Sequence, residues 1–547
     1  MRTSHSSVVS WVKNHRSDFI AGGLVFLIAL PLCLGISLAS GYPAVAGIIT
    51  AGVGGIITAV LSDSQLTIKG PAAGLIVIAL GCVTDFGFSQ GANLTADFAA
   101  YRKALAVGVV AGIIQIFVGL LRLGFITEVF PFSVIHGMLA AIGFIIIFKQ
   151  IPVALGLDVS GSPLELPVKI FNNWSNLNPE IALIGGISLA ILIFCATTKT
   201  SWIKRLPAQM LVLFAAIPIA HYFDLSHEHT YSWHRQVYHL TPKFLVNLPN
   251  SLSAAVVLPD FSALKEPKSL NWIILFTVIG SLESLVSVQA VDLLDPKKRK
   301  TNKNRDLLAV GVANTVVAFL GGLPMISEIV RSRANIDNGA KTSVSNGFHG
   351  FCLLFFVSFF PGLLHQIPLS ALAAMLMFTG YRLASPSHFK AVFKTGWDQL
   401  VIFVVTIVFT LATDLLMGLG AGILTKFILH LMRGIPPHHF IDPKLEVAFD
   451  EENKVFTVTP KRALVFSNWL PVKKAITKLE KGERIILDLS YCPMVDHSVM
   501  ERIHELSTDL KAKTLFLDVV GEDSLVPTSN HPNASRKKRR RTESRYV

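Results

Sequence analysis

Residues 321–332 read GGLPMISEIVRS and interrupt one of the most apolar parts of the chain. The stretch combines two glycines and a proline with a carboxylate, Glu328, and a guanidinium, Arg331. Irregular backbone at membrane depth is tolerated only where protein buries it or where it lines a water-filled cavity. The stretch therefore predicts a break in a membrane segment that ends in a short helix.

A second break of this kind lies in the first half of the chain, where residues 64–75 read SQLTIKGPAAGL. The apolar run from Ile76 to Val83 follows it directly. Two Gly/Pro-interrupted segments at corresponding places in two halves indicate a transporter's binding site, because the positive ends of half-helices can face an anion. Two ordinary kinked helices are the alternative, and periodicity alone does not separate the two interpretations.

The composition indicates a polytopic membrane protein. Of the 547 residues, 51% are hydrophobic and only 16% are charged, so the chain is far more apolar than an ordinary soluble domain. The formal net charge is +13, but the basic residues cluster beside apolar segments, which the positive-inside rule explains without a nucleic-acid partner. The five cysteines show no metal or redox spacing, so we expect them to have packing roles.

Apolar segments of spanning length fall into two sets. The first is expected at 19–40 with an interruption at Pro31, then at 44–61, 70–84, 103–121, 133–154, 181–198 and 206–221. The second is expected at 270–290, 306–320, 327–340, 345–362, 368–381, 397–414 and 416–433. The prediction is an all-α polytopic membrane protein of 14 transmembrane segments, in 7+7 inverted repeats at about 19–221 and 270–433 with two short half-helices.

Two further features concern the loops. Residues 222–268 are too polar to span and predict a surface excursion, whose four histidines we expect to be solvated rather than metal ligands. If residue 1 is cytoplasmic, the loops after even-numbered spans hold the basic clusters, such as KKRK at 297–300. This bias predicts cytoplasmic termini in a multi-pass protein of the inner (plasma) membrane. Residues 1–18 are then a cytoplasmic segment without the pattern of a removable signal peptide.

Beyond Arg433 the composition becomes that of a soluble domain. Strands are expected at 454–459, 462–466, 483–489 and 514–519, and helices at about 468–480 and 496–510. Their alternation predicts a small α/β domain over residues 440–520. Residues 521–547 contain the basic run RKKRRR at 536–541 and are expected to form a disordered, solvated tail, with contact to anionic membrane lipid or nucleic acid as the alternative.

Several motifs, in this order, resemble the SulP anion transporters over nearly the whole chain. They are DFIAG at 18–22, ALP at 29–31, the Gly70-Pro71 break, SLES at 281–284, the string from Arg331 to Thr342, and the terminal α/β domain. The motifs ALPLCLG at 29–35 and GGLPM at 321–325 are most similar to those of the bacterial bicarbonate and sulfate branch. That branch includes carbonic-anhydrase-linked transporters, although this chain has no anhydrase domain.

The resemblance implies a core domain and a gate domain built from inverted repeats, a cytoplasmic STAS domain after them, and a homodimer. It also places Ser498 where related regulatory proteins are phosphorylated, although a helix-capping role for Asp496 or Ser498 explains these residues equally well. The domain looks cut short after about residue 520, which leaves its last helix in doubt.

Substrate binding is predicted at the two helix starts, where unpaired N–H groups and positive dipole ends suit a small oxyanion. The candidate residues are Gly70, Pro71, Ala72, Ala73, Ser327, Glu328 and Arg331. Ser327 adds a hydroxyl group, and Arg331 lies one helical turn after Glu328.

Cation coupling is predicted at Glu283, because a lone carboxylate in an apolar helix must be paired, protonated or bound to a cation. The resemblance matches Glu283 with the coupling carboxylate of sodium-driven relatives and makes Ser287 a second oxygen ligand for Na⁺. Glu328 departs from the small or apolar residue of relatives. A carboxylate beside an anion site must be protonated or paired, so Glu328 favours H⁺ coupling, unless Arg331 neutralises it permanently and the pair only braces the helix.

These features predict secondary active transport of a small inorganic oxyanion, bicarbonate or sulfate, coupled to H⁺ or Na⁺. No cofactor other than a coupling Na⁺ is expected, and no enzymatic activity, because no nucleophile–base or metal spacing occurs in the sequence. An anion exchanger is one alternative. The other is a sensor without transport activity that reports anion levels through the STAS domain.

Overall fold

The computed structural model describes residues 14–200, 203, 206–234, 236–249, 251–452, 454–478, 484–512 and 515–538. The chain divides into two compact units, Met1–Gly124 with Ile142–Leu383, and Phe125–Ala141 with Ala384–Val547. In the described part of the chain, six helices are long and apolar enough to cross a membrane, and five shorter apolar helices accompany them. Each predicted membrane segment coincides with a helix.

The helices of the first half follow the predicted order, with an additional short helix at Leu166–Asn172 that was not predicted. They are α1 (Arg16–Ala39), α2 (Val45–Leu61), α3 (Ile76–Asp85), α4 (Leu94–Leu120), α5 (Phe132–Leu155), α6 (Leu166–Asn172), α7 (Pro179–Thr197) and α8 (Ala208–Tyr222). The strand β1 (Ile68–Pro71) and one 3₁₀ turn precede α3. The predicted short helix at 70–84 therefore begins later than expected, because its first residues pair as a strand.

The predicted interruption of the first span at Pro31 is wrong, since α1 continues through this residue. A proline removes one backbone donor, but a packed membrane helix tolerates that loss. The irregular helix is instead α2, which contains a π-helical turn at Thr50–Gly54. Within this turn Thr50 Oγ1 lies 2.9 Å from the carbonyl oxygen of Leu323, and so α2 contacts the second break at its distorted turn.

The second half repeats the arrangement. Its elements are α9 (Lys268–Leu294), α10 (Lys303–Phe319), β4 (Met325–Glu328), α11 (Ile329–Asp337), α12 (Val344–Phe359) and α13 (Leu369–Leu383). The polar excursion between the halves contains an antiparallel hairpin of β2 (His229–Trp233) and β3 (Gln236–Leu240), which was not expected from its sequence.

The second unit holds α14 (Pro386–Thr395), α15 (Trp397–Ala412) and α16 (Leu415–Met432), followed by an α/β arrangement. Its four-stranded sheet has the order β5-β6-β7-β9, formed by Leu445–Asp450, Val455–Pro460, Arg484–Asp488 and Leu517–Val520. The helices α17 (Trp469–Lys478) and α18 (His497–Ala512) have their apolar faces in the core of this arrangement.

The C-terminal segment differs from the prediction in two places. Residues 462–466 form no strand, because Leu464 makes only an isolated bridge and a 3₁₀ turn begins at Phe466. The tail is ordered further than expected: β10 (Leu525–Pro527) pairs with β11 (Arg536–Lys538), which also pairs with β8 (Met494–Val495). Strand pairing with the body of the domain orders these basic residues despite their charge. Residues 539–547, also predicted to be disordered, lie outside the described residues.

Candidate anion-binding site

The two breaks meet as a short antiparallel sheet in the first unit. β1 pairs with β4, with Ile68 opposite Glu328 and Pro71 opposite Met325. A short helix follows each strand: α3 after a 3₁₀ turn at Ala73–Leu75, and α11 immediately. The two breaks therefore meet, and this brings the candidate residues at 70–73 and 327–331 to one place.

Side-chain amides complete the hydrogen bonding of these short strands. Asn314 Oδ1 accepts from Met325 N–H at 2.7 Å, and its Nδ2 donates to the Met325 carbonyl at 3.2 Å. Asn346 Oδ1 accepts from Lys69 N–H at 3.1 Å. Because two-stranded sheets leave outer backbone groups unpaired, buried amides are the expected solution. The strands are thus fixed from α10 and α12.

Arg331 is the main cationic group beside Glu328. It lies in α11 and is only 1% exposed. Its Nη1 is 3.5 Å from Cys33 Sγ, and its Nη2 is 3.9 Å from Glu328 Oε1, which is a long ion pair. Neither Nε nor Nη2 has a hydrogen-bond partner in the described structure. A guanidinium with free donors is suited to a planar oxyanion.

Glu283 lies in α9 and is 7% exposed, and both of its carboxylate oxygens lack a hydrogen-bond partner among the described residues. The carboxylate lies against the backbone of Gly74, close enough that a methyl group at position 74 would collide with it. Ser287, one turn later on α9, is also buried. The predicted coupling residue therefore lies beside the start of the first short helix.

The predicted position of Ser327 and Glu328 at the start of a helix is wrong. Both residues belong to β4, and α11 begins at Ile329 with Glu328 as its N-cap residue. The β1–β4 pairing explains the difference, since it holds 325–328 extended. The hydroxyl of Ser327 contacts Ser284 Oγ at 3.2 Å and Lys69 Nζ at 2.9 Å.

Lys69 is a site neighbour that sequence reasoning missed. It is 1% exposed and forms an ion pair of 2.7 Å with Asp306, which is completely buried. The charge of these two residues could have indicated the site, because Lys69 directly precedes Gly70-Pro71 and Asp306 begins a predicted span. Intramembrane charges are rarely present without a function.

A separate cluster of charged groups lies in the second unit. Lys426 of α16 forms a 3.0 Å ion pair with Asp496 and donates to Ser498 Oγ at 2.7 Å. Asp496 Oδ1 also accepts from Val499 N–H at 2.8 Å, so the capping interpretation holds for Asp496. Burial alone would raise the pKa of the Asp496 carboxyl, but Lys426 and the hydrogen bonds hold it well below its usual range.

The geometry can be compared with known proteins. The model of the sulfate permease family matches residues 16–406. The bicarbonate transporter BicA of Picosynechococcus sp. is 26% identical over 463 residues, which cover 83% of this chain and 76% of BicA.

Two solved structures show the same fold. The transmembrane domain of a cyanobacterial BicA superimposes with a TM-score of 0.61 at 23% identity and covers 74% of this chain and 97% of that domain. The structure of SLC26A9 gives a TM-score of 0.67 at 16% identity, covering 94% of this chain and 86% of that one. The predicted helical membrane fold with a small sheet-containing C-terminal region is therefore confirmed. With the family match over most of the membrane segments, the chain belongs to the sulfate permease (SulP) family, whose members are anion transporters and not enzymes.

Proposed function

We propose that the protein is a secondary active transporter that carries bicarbonate or sulfate across the inner (plasma) membrane and couples the movement to H⁺ or Na⁺. The proposal rests on one observation: where the two breaks meet, two buried groups of opposite charge have polar atoms without hydrogen-bond partners among the described residues. In the part of the chain that the structure describes, Arg331 has donors without hydrogen-bond partners and Glu283 has acceptors without them, although both residues are buried. An anion satisfies the first group, and a proton or cation satisfies the second.

Opposite charges in the two ligands explain why both must bind. Burying an uncompensated ion is expensive, so an anion near Arg331 and a cation or proton at Glu283 lower each other's cost. Glu328, in the second break, adds a second carboxylate to the site, 3.9 Å from Arg331. When the anion takes the guanidinium, Glu328 loses its partner and gains affinity for a proton. This order of binding favours H⁺ as the coupling ion. An oxygen shell formed by Glu283, Ser287 and backbone carbonyls favours Na⁺ instead.

The remaining roles follow from the same proposal. Gly70, Pro71, Ala72 and Ala73 bring the backbone of the first break close to the anion, and Ser327 contributes a hydroxyl. The C-terminal α/β region acts as a STAS domain on the cytoplasmic side, with both termini cytoplasmic, and the transporter works as a homodimer. The family relationship and the Lys/Arg distribution of the loops support this arrangement.

Uptake into proteoliposomes tests the proposal. The purified full chain is reconstituted, and uptake of labelled sulfate and labelled bicarbonate is measured with an inward H⁺ gradient, an inward Na⁺ gradient, or neither. We expect one anion to accumulate under one gradient. An exchanger requires an internal anion and no cation gradient, whereas a sensor binds the labelled anion without moving it. Either outcome contradicts the coupled mechanism.

A further inference from the structure

Lys69 has all of its hydrogen-bonding capacity engaged. Its ammonium group carries three N–H donors. They point to Asp306 Oδ1 at 2.7 Å, Thr67 Oγ1 at 2.9 Å and Ser327 Oγ at 2.9 Å. The side chain is therefore held in one position beside the second break. It lies in β1 directly opposite Ser327 of β4.

This arrangement fixes the role of the Ser327 hydroxyl. Its oxygen accepts from Lys69 and from the hydroxyl of Ser284, the latter at 3.2 Å. Neither neighbour accepts the Ser327 proton, because an ammonium group cannot accept a hydrogen bond and the hydroxyl of Ser284 is itself the donor to Ser327. Ser284 Oγ instead accepts the backbone N–H of Ser327 at 3.1 Å. With both acceptor sites occupied, the Ser327 proton is left to donate to another group. An oxyanion accepts hydrogen bonds, so a hydroxyl that can only donate its proton suits it.

The ion pair also has a direction. Its cationic end contacts Ser327, whereas the carboxylate end accepts from Ser62, since Asp306 Oδ1 lies 2.5 Å from Ser62 Oγ. The pair adds no net charge, but its dipole presents the positive end to the second break. Such a fixed dipole stabilises an anion without the cost of an isolated buried cation.

Stability alone is a weak reason for this pair. Replacing a buried ion pair by apolar residues of similar volume is often neutral or stabilising. Asp306 Oδ2 has no hydrogen-bond partner in the described structure, so the pair is not fully satisfied. Apolar packing could brace the two paired strands at a lower cost.

We propose that Lys69 and Asp306 are positioning residues of the anion site, which hold Ser327 as a hydrogen-bond donor to an oxygen of the transported oxyanion. The proposal rests on the transport function proposed above. It assigns a role to two buried charges that the candidate site did not include. The pair acts through Ser327, and so its effect must disappear when the Ser327 hydroxyl is absent.

A double-mutant cycle in proteoliposomes tests this dependence. The variants are Lys69→Met with Asp306→Asn, Ser327→Ala, and all three changes together. The readouts are the melting temperature and the KM and maximal rate for labelled sulfate and labelled bicarbonate. We expect the paired change to leave the melting temperature near that of the parent but to raise KM roughly tenfold, the effect of one hydrogen bond to a charged group. In the Ser327→Ala background the paired change should raise KM no further.

The single change Lys69→Met provides the structural comparison, because it leaves Asp306 charged and unpaired. If the paired change restores both the melting temperature and KM to parental values, the ion pair only braces the strands and the inference is overturned. An equal increase in KM with and without the Ser327 hydroxyl overturns it as well. A matched control replaces the part-exposed pair Lys103 and Glu266, 2.6 Å apart, by Met and Gln and should leave KM unchanged.

The parent protein separates this inference from the proposed function. If the parent takes up neither anion, the proposed function fails, and the positioning role fails with it. If the parent transports an anion and the cycle shows no coupling to Ser327, the proposed function stands and only the positioning role is lost.

Discussion

The guanidinium of Arg331 lies where a side chain on Gly70 would be, since a methyl group at position 70 would stand 2.6 Å from Arg331 Nη1. The two residues come from the two breaks, one in each half of the chain. Glycine at this position is therefore required by the neighbour and not by its backbone conformation. The close approach places the backbone of the first break beside the guanidinium of Arg331, whose Nε and Nη2 have no hydrogen-bond partner among the described residues.

Gly70→Ala should impair transport through this contact. The added methyl displaces the guanidinium, and we expect KM for the anion to rise roughly tenfold or more, because charge-assisted hydrogen bonds are lost. Initial uptake rates over a range of anion concentrations provide the measurement. Gly186→Ala is the matched control, since among the described residues a methyl group there meets no atom within 4 Å beyond the adjoining backbone of its own helix. Equal KM values for the Gly70→Ala variant and the parent would remove Arg331 from the anion site.

Glu328→Gln distinguishes the two coupling ions. In the H⁺ mechanism Glu328 takes a proton when the anion engages Arg331, so its amide variant should lose the dependence of uptake on external pH. In the Na⁺ mechanism the variant should keep the parental pH profile, and Ser287→Ala should weaken the dependence on Na⁺ instead. Uptake is measured against external pH at fixed Na⁺, and then against Na⁺ at fixed pH. A parent that responds to Na⁺ but not to pH contradicts H⁺ coupling.

The buried pair of Lys426 and Asp496 should be important for the stability of the second unit. Asp496→Asn leaves Lys426 charged in a completely buried site, and we expect a loss of about 3–5 kcal/mol. Lys426→Met combined with Asp496→Asn should recover much of this loss. Thermal unfolding in detergent provides the comparison. The exposed pair Arg484 and Asp518 is the control, because its removal should cost at most about 1 kcal/mol. Similar effects at the two pairs would contradict this account.

Glu501 of α18 should make the C-terminal region sensitive to pH. Burial, and then the charge of Glu505, raises the pKa of Glu501 to about 7. The folded state therefore holds this proton more tightly than the unfolded state, whose pKa is about 4.3. Between these values the stability falls as the pH rises, and the contribution is lost above about pH 7. Hydrogen exchange of α18, corrected for intrinsic rates, should show this slope in the parent but not in Glu501→Gln.

Much of the architecture could be predicted because membrane segments carry a strong local signal. Uninterrupted apolar runs indicated the helices, and the glycines and prolines at 70–71 and 321–324 indicated the breaks. The pairing of β1 with β4 could not be predicted, since it joins residues far apart in sequence that have no strand-like alternation. For the same reason the start of α11 was placed two residues early.

The site could be predicted only in part. Glu283, Glu328 and Arg331 were detectable because charges in apolar segments are conspicuous. Lys69 and Asp306 carried the same signal, but their partnership depends on tertiary contact between β1 and α10. The ordered tail was missed because its basic composition indicates disorder, whereas β8 supplies a strand edge for Arg536–Lys538. Local composition does not predict such pairing between residues that are far apart in sequence.

The steady-state ratio of internal to external labelled anion tests the central claim most directly. Proteoliposomes of the parent and of Glu283→Gln are compared under an inward H⁺ gradient and under an inward Na⁺ gradient, with bicarbonate and with sulfate. We predict that the parent concentrates one anion above equilibrium under one of the gradients, and that the Glu283→Gln variant reaches only equilibrium. Accumulation by the variant to the parental level, or equilibration without accumulation by the parent under both gradients, would contradict coupled transport through Glu283.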